Sequence, residues 1–359
     1  MYLPLALAAI IAAGSISAHP GQDIKLELQE RLAFLAEHTN SLDHCDSVHK
    51  AMGIKSRAIQ RRRDLTHSVW KSRGLQARQG GSAVTKSHKS DKSYTPQTDP
   101  HLLFDSNKSV SQDVMGEAVR SKVVDDQKGV PLYLDFQVID VNTCQPLKGV
   151  LVEMWNCNST GVYSGALAIP NGSGMSDKSN LNKQFLRGIQ KTNDDGVGRA
   201  THVHMATHLN ATAEANNTVW HTTTTHAGQL FFDQALLAKV EKTVPYNTNM
   251  QKGLQNAADN ILLAELPTAD PFFDYVELGD DITHGVVAWY RLGINATFSR
   301  SIMAVAQNFK EGGKMITTNP KIPGLDQIFP GGFPTAYQPG FGGPAAAPTR
   351  PATTASRRP

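Results

Sequence analysis

Two histidines separated by one residue are the groups best placed for chemistry. They are His202 and His204, in the stretch Arg199-Ala200-Thr201-His202-Val203-His204. The stretch is β-compatible, and side chains two apart on a strand share a face. Their Cα atoms would then sit roughly 6.5–7 Å apart. From that spacing two imidazoles can converge on one metal ion, at bonds of about 2.0–2.1 Å. Alone, the pattern is also met by two polar residues on a solvated strand face. His208 shares the face of His204 if the strand continues, but at roughly 13 Å it is too far for the same ion. His221 and His226 could join only if loops fold back.

The elements that must hold these residues read mostly as short strands. Leu132–Asp140 alternates as a strand does, Asn142–Gly149 is a turn region, and Val150–Trp155 is a second strand. Phe185–Lys191 is a third, closed by the turn Asn193-Asp194-Asp195-Gly196. The His202 strand follows, then a β-run over Trp220–Asp233, a helix over Asp233–Val240 and a late strand over Val286–Leu292. Short strands separated by turns imply an all-β protein built on an antiparallel β-sandwich.

Ahead of the strands, Asp23–His49 has apolar residues near helical spacing, Leu26, Leu28, Leu32, Leu35 and Ala36. Arg61-Arg62-Arg63 reads as a solvated basic turn, with a processing site as the alternative. The expected organisation is a signal peptide over 1–18, an N-terminal helical segment over 19–70 and a linker or wrapping segment over 71–124. The sandwich follows over 125–322. A Pro/Gly/Ala/Thr-rich tail over 323–359 cannot bury enough apolar surface to fold.

Between the second strand and the histidines lies Trp155-Asn156-Cys157-Asn158-Ser159-Thr160-Gly161-Val162-Tyr163-Ser164-Gly165. A strand ending in Trp, a polar loop and then Gly-x-Tyr-Ser resembles the intradiol ring-cleavage dioxygenases, and most closely their secreted fungal branch. The resemblance runs over roughly residues 125–300. It continues through Phe185-Leu186-Arg187-Gly188-Ile189-Gln190, the Thr192–Gly196 turn, Arg199–His204, and His226-Ala227-Gly228-Gln229-Leu230-Phe231-Phe232-Asp233-Gln234. It implies a non-haem Fe(III) with Tyr163, His202 and His204 as ligands. It also implies Arg199 facing the substrate and Gln229 behind the ligands. The partners it implies are a small aromatic diol and O2, and the product a muconate-type dicarboxylic acid. The physics agrees with such a set. Phenolate is a hard anionic donor, and a Tyr pKa near 10 means the metal must drive deprotonation. Arg199 stands three residues before His202, so on a regular strand it faces the other side; its role rests on the resemblance.

The sequence departs from the family pattern at one place. Only Val197-Gly198 separates Gly196 from Arg199. The family has there a further strand and a Pro-Gly-x-Tyr loop with a second tyrosine ligand. About a dozen residues are absent, and no other residue is an obvious replacement. Losing one strand of an antiparallel run reverses the entry of the next, so the His strand is not expected simply to keep its family position. The gap reads as coding residues lost from the sequence or as real divergence with weakened iron binding. The second case favours a different class, a catalytically inactive β-sandwich that binds aromatic or cell-wall material. A third reading takes His19 as the mature N-terminus, where its amine and ring with another histidine would form a copper site.

Composition limits the remaining classes. Of 359 residues, 40% are hydrophobic and 19% charged, which suits a globular core with polar appendages. A net charge of +3 gives no reason to expect a nucleic-acid partner. No stretch after residue 20 is apolar for the 18 or so residues of a membrane span. The apolar run Leu3–Ala13 followed by small residues up to Ala18 reads as a leader for secretion. Asn-x-Ser/Thr sequons at Asn107, Asn158, Asn171, Asn210, Asn216 and Asn295 agree with an extracellular glycoprotein. Cys45, Cys144 and Cys157 allow one disulfide and one free thiol, with the pairing open.

Overall fold

The basic run Arg61–Arg63 lies in the middle of a helix. The computed structural model describes residues 42–75, 113–167, 176–193, 197–198, 204–221, 223–249, 255–259, 262, 270–301, 304, 306–309 and 312–315. Within them, helix α1 (Asp46–Ala51) breaks at Gly53, whose φ of 63° suits a residue without Cβ, and α2 (Ile54–Arg73) follows. Helix α2 stops at Gly74, also at φ 63°, where Leu75 N–H reaches back to Trp70 O at 2.9 Å. Leu65, Val69 and Trp70 form its apolar stripe and pack on Val276, Leu278, Val287 and Trp289.

The arginines are therefore neither a turn nor an accessible processing site. Asp135 is fully buried, and a buried carboxylate must be paired. Arg61 grips it with two bonds, of 2.8 and 3.0 Å, and Arg62 Nε adds a third at 3.2 Å. The Arg62 guanidinium also lies 5.0 Å from the centroid of the Trp289 ring. Arg63 alone is exposed.

The strands are β1 (Val114–Met115), β2 (Glu117–Ala118), β3 (Leu132–Asp140), β4 (Leu151–Trp155), β5 (Arg187–Lys191), β6 (Val197–Gly198), β7 (His204–His208), β8 (Thr218–Val219), β9 (Thr223–Thr224) and β10 (His226–Gln229). Helix α3 (Gln234–Val240) comes next, with Asp233 accepting from Leu236 N–H as its N-cap. Strands β11 (Asp274–Glu277), β12 (Val286–Ile294), β13 (Arg300–Ser301), β14 (Ala306–Phe309) and β15 (Gly312–Met315) complete the order. One sheet runs β11-β12-β3-β6 and another β10-β7-β4-β5. They share a core in which Leu134, Phe136 and Val138 of the first meet Val152, Met154 and Met205 of the second. The pairing is antiparallel except that β3 and β12 run parallel over nine residue pairs, and β1 pairs parallel with β14. The chain is an all-β sandwich, with α2 on the outer face of the first sheet.

Cys45 and Cys144 form the disulfide, with Cα atoms 5.3 Å apart at a sequence separation of 99. It ties the segment before α1 to the β3–β4 turn, among Leu42, Ile139 and Val141. The boundary expected at residue 70 falls inside α2, and β1 and β2 lie within the expected linker. Residues 1–41 and 316–359, with the leader and the whole of the tail, lie outside the described residues. After the short connection, the strand that carries His204 pairs with β4 and β10. β5 and β7 both run antiparallel to β4, and the two-residue β6 pairs with β3 at the edge of the other sheet.

Asp135→Ala should destabilise the fold by about 3–5 kcal/mol, because it strands buried positive charge. Arg63→Ala should change stability by less than about 0.5 kcal/mol. Urea midpoints at constant slope check both. Equal losses from the two would mean that the helix register is wrong.

Candidate functional site

The outer face of the second sheet carries the polar residues. Strand β4 alternates, so Val152 and Met154 enter the core while Leu151, Glu153 and Trp155 face away from it. Register then sets a row across four strands: Arg187 on β5, Trp155 on β4, His204 on β7 and Gln229 on β10. Trp155 stacks flat on His204, with centroids 5.3 Å apart and planes 10° off parallel. Ala206 and Ala227 are small enough to let the Trp155 ring lie over the sheet.

Tyr163 is brought to this row by a hairpin that leaves the sheet after Trp155. Asn158 builds its turn, its Oδ1 accepting from Thr160 N–H, Thr160 Oγ and Val162 N–H at 2.8–3.1 Å. Gly161 takes φ 81°, which a side chain would oppose. Cys157 and Tyr163 then face each other as a bridge pair. Behind them the buried Asn180 donates to Tyr163 O at 2.6 Å and to Ala166 O at 2.9 Å, fixing the return of the chain.

The result is a phenol and an imidazole in contact, with Tyr163 Oη 2.8 Å from His204 Nε2. Burial, and after it the Cys157 thiol beside the phenol, push Tyr163 well above the usual tyrosine range. A cation against that oxygen would be needed to ionise it. Arg187 is 3% exposed; it is paired with Glu117, and its Nε donates to Ser164 Oγ at 3.2 Å. The buried Oε1 of Gln229 has no hydrogen-bond partner.

Of the residues expected at a site, the structure brings Tyr163, His204 and Gln229 together. Arg199 and His202 lie outside the described residues. His208 shares the face of His204 four residues along β7, and its ring is engaged elsewhere. His221 folds back onto the sheet, but against Glu153 and His208. His226 pairs with Thr207, which places it on the other side of β10 from Gln229. Among the described tyrosines none joins Tyr163. The hydroxyls of Tyr246, Tyr275 and Tyr290 bond to Val130 N–H, Asp233 and Asp270 O. Tyr133 packs on the α2 side of the first sheet. Sequence reading passed over Arg187 and Cys157 as site neighbours. Alternation on β5 gives the face of Arg187, but only register places it beside Trp155. A cleft of about 530 Å³ between Asp125, Asp126, Asp177 and Lys183 borders the hairpin at Val162 and includes neither Tyr163 nor His204.

No family model and no curated protein matches the chain. Solved structures do. They are dioxygenases. An intradiol ring-cleavage dioxygenase from Tetranychus urticae aligns at TM-score 0.40 and 22% identity, over 55% of this chain and 94% of its own. The dioxygenase domain of a carbohydrate-binding fusion from Streptomyces sp. gives 0.29 and 19%, over 58% and 100%. A 3-chlorocatechol 1,2-dioxygenase from Rhodococcus opacus gives 0.28 and 15%, over 52% and 72%. At such scores no residue role passes from them to this chain.

Asn180→Ala should loosen the Tyr163 hairpin by removing a doubly bonded, buried amide, at a cost of about 1–3 kcal/mol. Hydrogen exchange should rise at residues 157–166 and stay unchanged along β3 and β12. A rise spread evenly over the sandwich would assign Asn180 to the core rather than to the site.

Proposed function

We propose that the chain is a secreted, non-haem iron dioxygenase that opens catechol-type rings between the two hydroxylated carbons, using O2. The observation that carries this reading is the 2.8 Å contact between Tyr163 Oη and His204 Nε2. A hard oxygen donor and an imidazole nitrogen are there adjacent, at the sheet row that also holds Gln229. The sequence resemblance supplies His202 as the third ligand and Arg199 as the cation facing the substrate.

The donors fit a ferric ion in part. Phenol and imidazole suit it by chemistry, and the phenol's reluctance to ionise suits a site that is completed by a cation. A second tyrosine is missing among the described residues. Iron held there would supply the redox and Lewis-acid chemistry of ring opening. The chain's own residues have narrower tasks. Trp155 holds the His204 ring in one plane, so that its Nε2 points at the phenol. One proton lies between Tyr163 Oη and His204 Nε2, and binding a cation must release it. Gln229 offers a buried amide oxygen with no partner of its own. Arg187 spends its charge on Glu117, so charge stabilisation of a bound catecholate falls to Arg199.

Secretion is part of the same reading. The Cys45–Cys144 bridge suits an oxidising compartment, as do the apolar leader and the sequons. The shortage of anionic ligands favours a second reading, a sandwich that binds aromatic compounds without turning them over.

Purified chain should contain less than one iron per molecule, with a weak tyrosinate-to-iron band in the visible, and should consume O2 slowly with catechol. His204→Ala and Tyr163→Phe should each abolish iron retention, while His208→Ala should leave it intact. Catechol binding with no O2 uptake in iron-loaded protein would move the assignment to the binding module. Full colour with full activity would mean that a second tyrosine is not needed.

A further inference from the structure

A second polar cluster lies on the same sheet face beyond His204, and ring cleavage makes no use of it. Glu153 on β4 is its centre. Its Oε2 lies 2.9 Å from His208 Nε2 and 3.0 Å from His221 Nε2. Asp113 Oδ1 is 3.6 Å from the same His221 nitrogen. The donor atoms of Glu153, His208 and His221 all fall within 4.8 Å of one another. Glu153 and Asp113 are 0% exposed, His208 1% and His221 5%.

Counting protons shows what this cluster lacks. His208 Nδ1 is 2.8 Å from the carbonyl oxygen of Thr223. A carbonyl only accepts, so Nδ1 carries the hydrogen. A neutral His208 then turns the lone pair of Nε2 toward a carboxylate oxygen that is itself an acceptor. Positive charge has to stand between them, as a proton or as a metal ion. His221 addresses the same oxygen, and its ring stacks on His208 with centroids 4.1 Å apart. Two protonated rings in that position would repel each other in a buried site. Meanwhile neither oxygen of Asp113 nor Oε1 of Glu153 meets an N–H donor at hydrogen-bond distance, and the two carboxyl groups face each other. The nearby Arg187 is bound to Glu117, a third buried acid, and acts on Asp113 only through space.

One divalent cation resolves the whole set. It balances two carboxylates, leaves both imidazoles neutral and fills the orphaned acceptors. Two imidazoles with carboxylate oxygens are the donors that borderline metals of the zinc class prefer. The bond from His208 Nδ1 to a backbone carbonyl is the support that metal-bound histidines usually have. We propose that Glu153, His208, His221 and Asp113 form a closed structural site for a divalent ion of the zinc class. The ion would tie the start of β1 and the loop before β9 to the outer face of β4 and β7. Four protein donors leave no open position, so the site stabilises rather than catalyses.

The test uses the full chain, stripped with a chelator and titrated with Zn2+. The expected result is one zinc per chain, a raised melting midpoint, and zinc-edge absorption showing two imidazoles with oxygen neighbours. Glu153→Gln and His221→Ala should lose the zinc. His204→Ala should keep it while losing iron, which separates this site from the one at Tyr163. Wild-type chain that takes up no zinc, or binds it without histidine in its shell, would overturn the proposal and leave a proton-linked ion-pair cluster. So would unchanged zinc uptake in both the Glu153→Gln and His221→Ala variants. The wild-type measurements decide the matter even if a variant does not fold.

Discussion

The antiparallel register of β4 against β7 is the constraint on which the rest depends. Trp155 stands opposite His204, Glu153 opposite Ala206 and Leu151 opposite His208. Because side chains alternate with period two, a slip of one residue would send Trp155, Glu153, His204 and His208 into the sandwich. Val152, Met154 and Met205 would come out under the loops. The apolar identity of those three residues is therefore what aims the polar ones. Core packing and site assembly are here one choice of register.

The two sheets solve the same problem in different ways. Each has an inner face in the shared core and an outer face that must be covered. The first sheet is covered by α2, through an apolar stripe and the Arg61–Arg62 grip on Asp135. The second is covered by loops, which bring in hydrogen-bonding groups rather than aliphatic ones: Tyr163, Asn180, Asp113 and His221. A loop-covered face can carry chemistry because its backbone is held by side-chain bonds, such as those of Asn158 and Asn180, rather than by a second layer of packing.

Much of the framework was legible in the residues. Leu132–Asp140 forms a strand with the expected bounds, because its alternation is strong and both of its faces are covered. Asp233 caps its helix as its type suggests. The motif that holds Tyr163 and the one that ends at His204 could be read in the sequence, and the fold sets the two side chains 2.8 Å apart. Other features depend on contacts that sequence spacing does not encode. The arginine run looked solvated because its partner, Asp135, lies 74 and 73 residues away. Pairing of Cys45 with Cys144 follows from the fold, since the three cysteines allow three choices. His221 looked remote from any site, and only the fold shows the carboxylate to which it returns.

The short connection before His204 bears on function through donors more than through topology. β7 takes its place beside β4 although β6 is two residues long. The sheet accommodates the short connection, because β4 fixes β7 from one side and β10 from the other. A metal site is less forgiving. The sheet gains from each added strand pair separately, whereas a ferric ion loses both a bond and a compensating negative charge when a phenolate goes. Arg187, already bound to Glu117, adds positive charge on the same row and cannot make good that loss. The fold can therefore outlast the chemistry. Among the described residues the sheet keeps its register around Tyr163 and His204; if the proposed iron reading holds, the balance of charge at that pair, rather than the stability of the sheet, would set how firmly the ion is held.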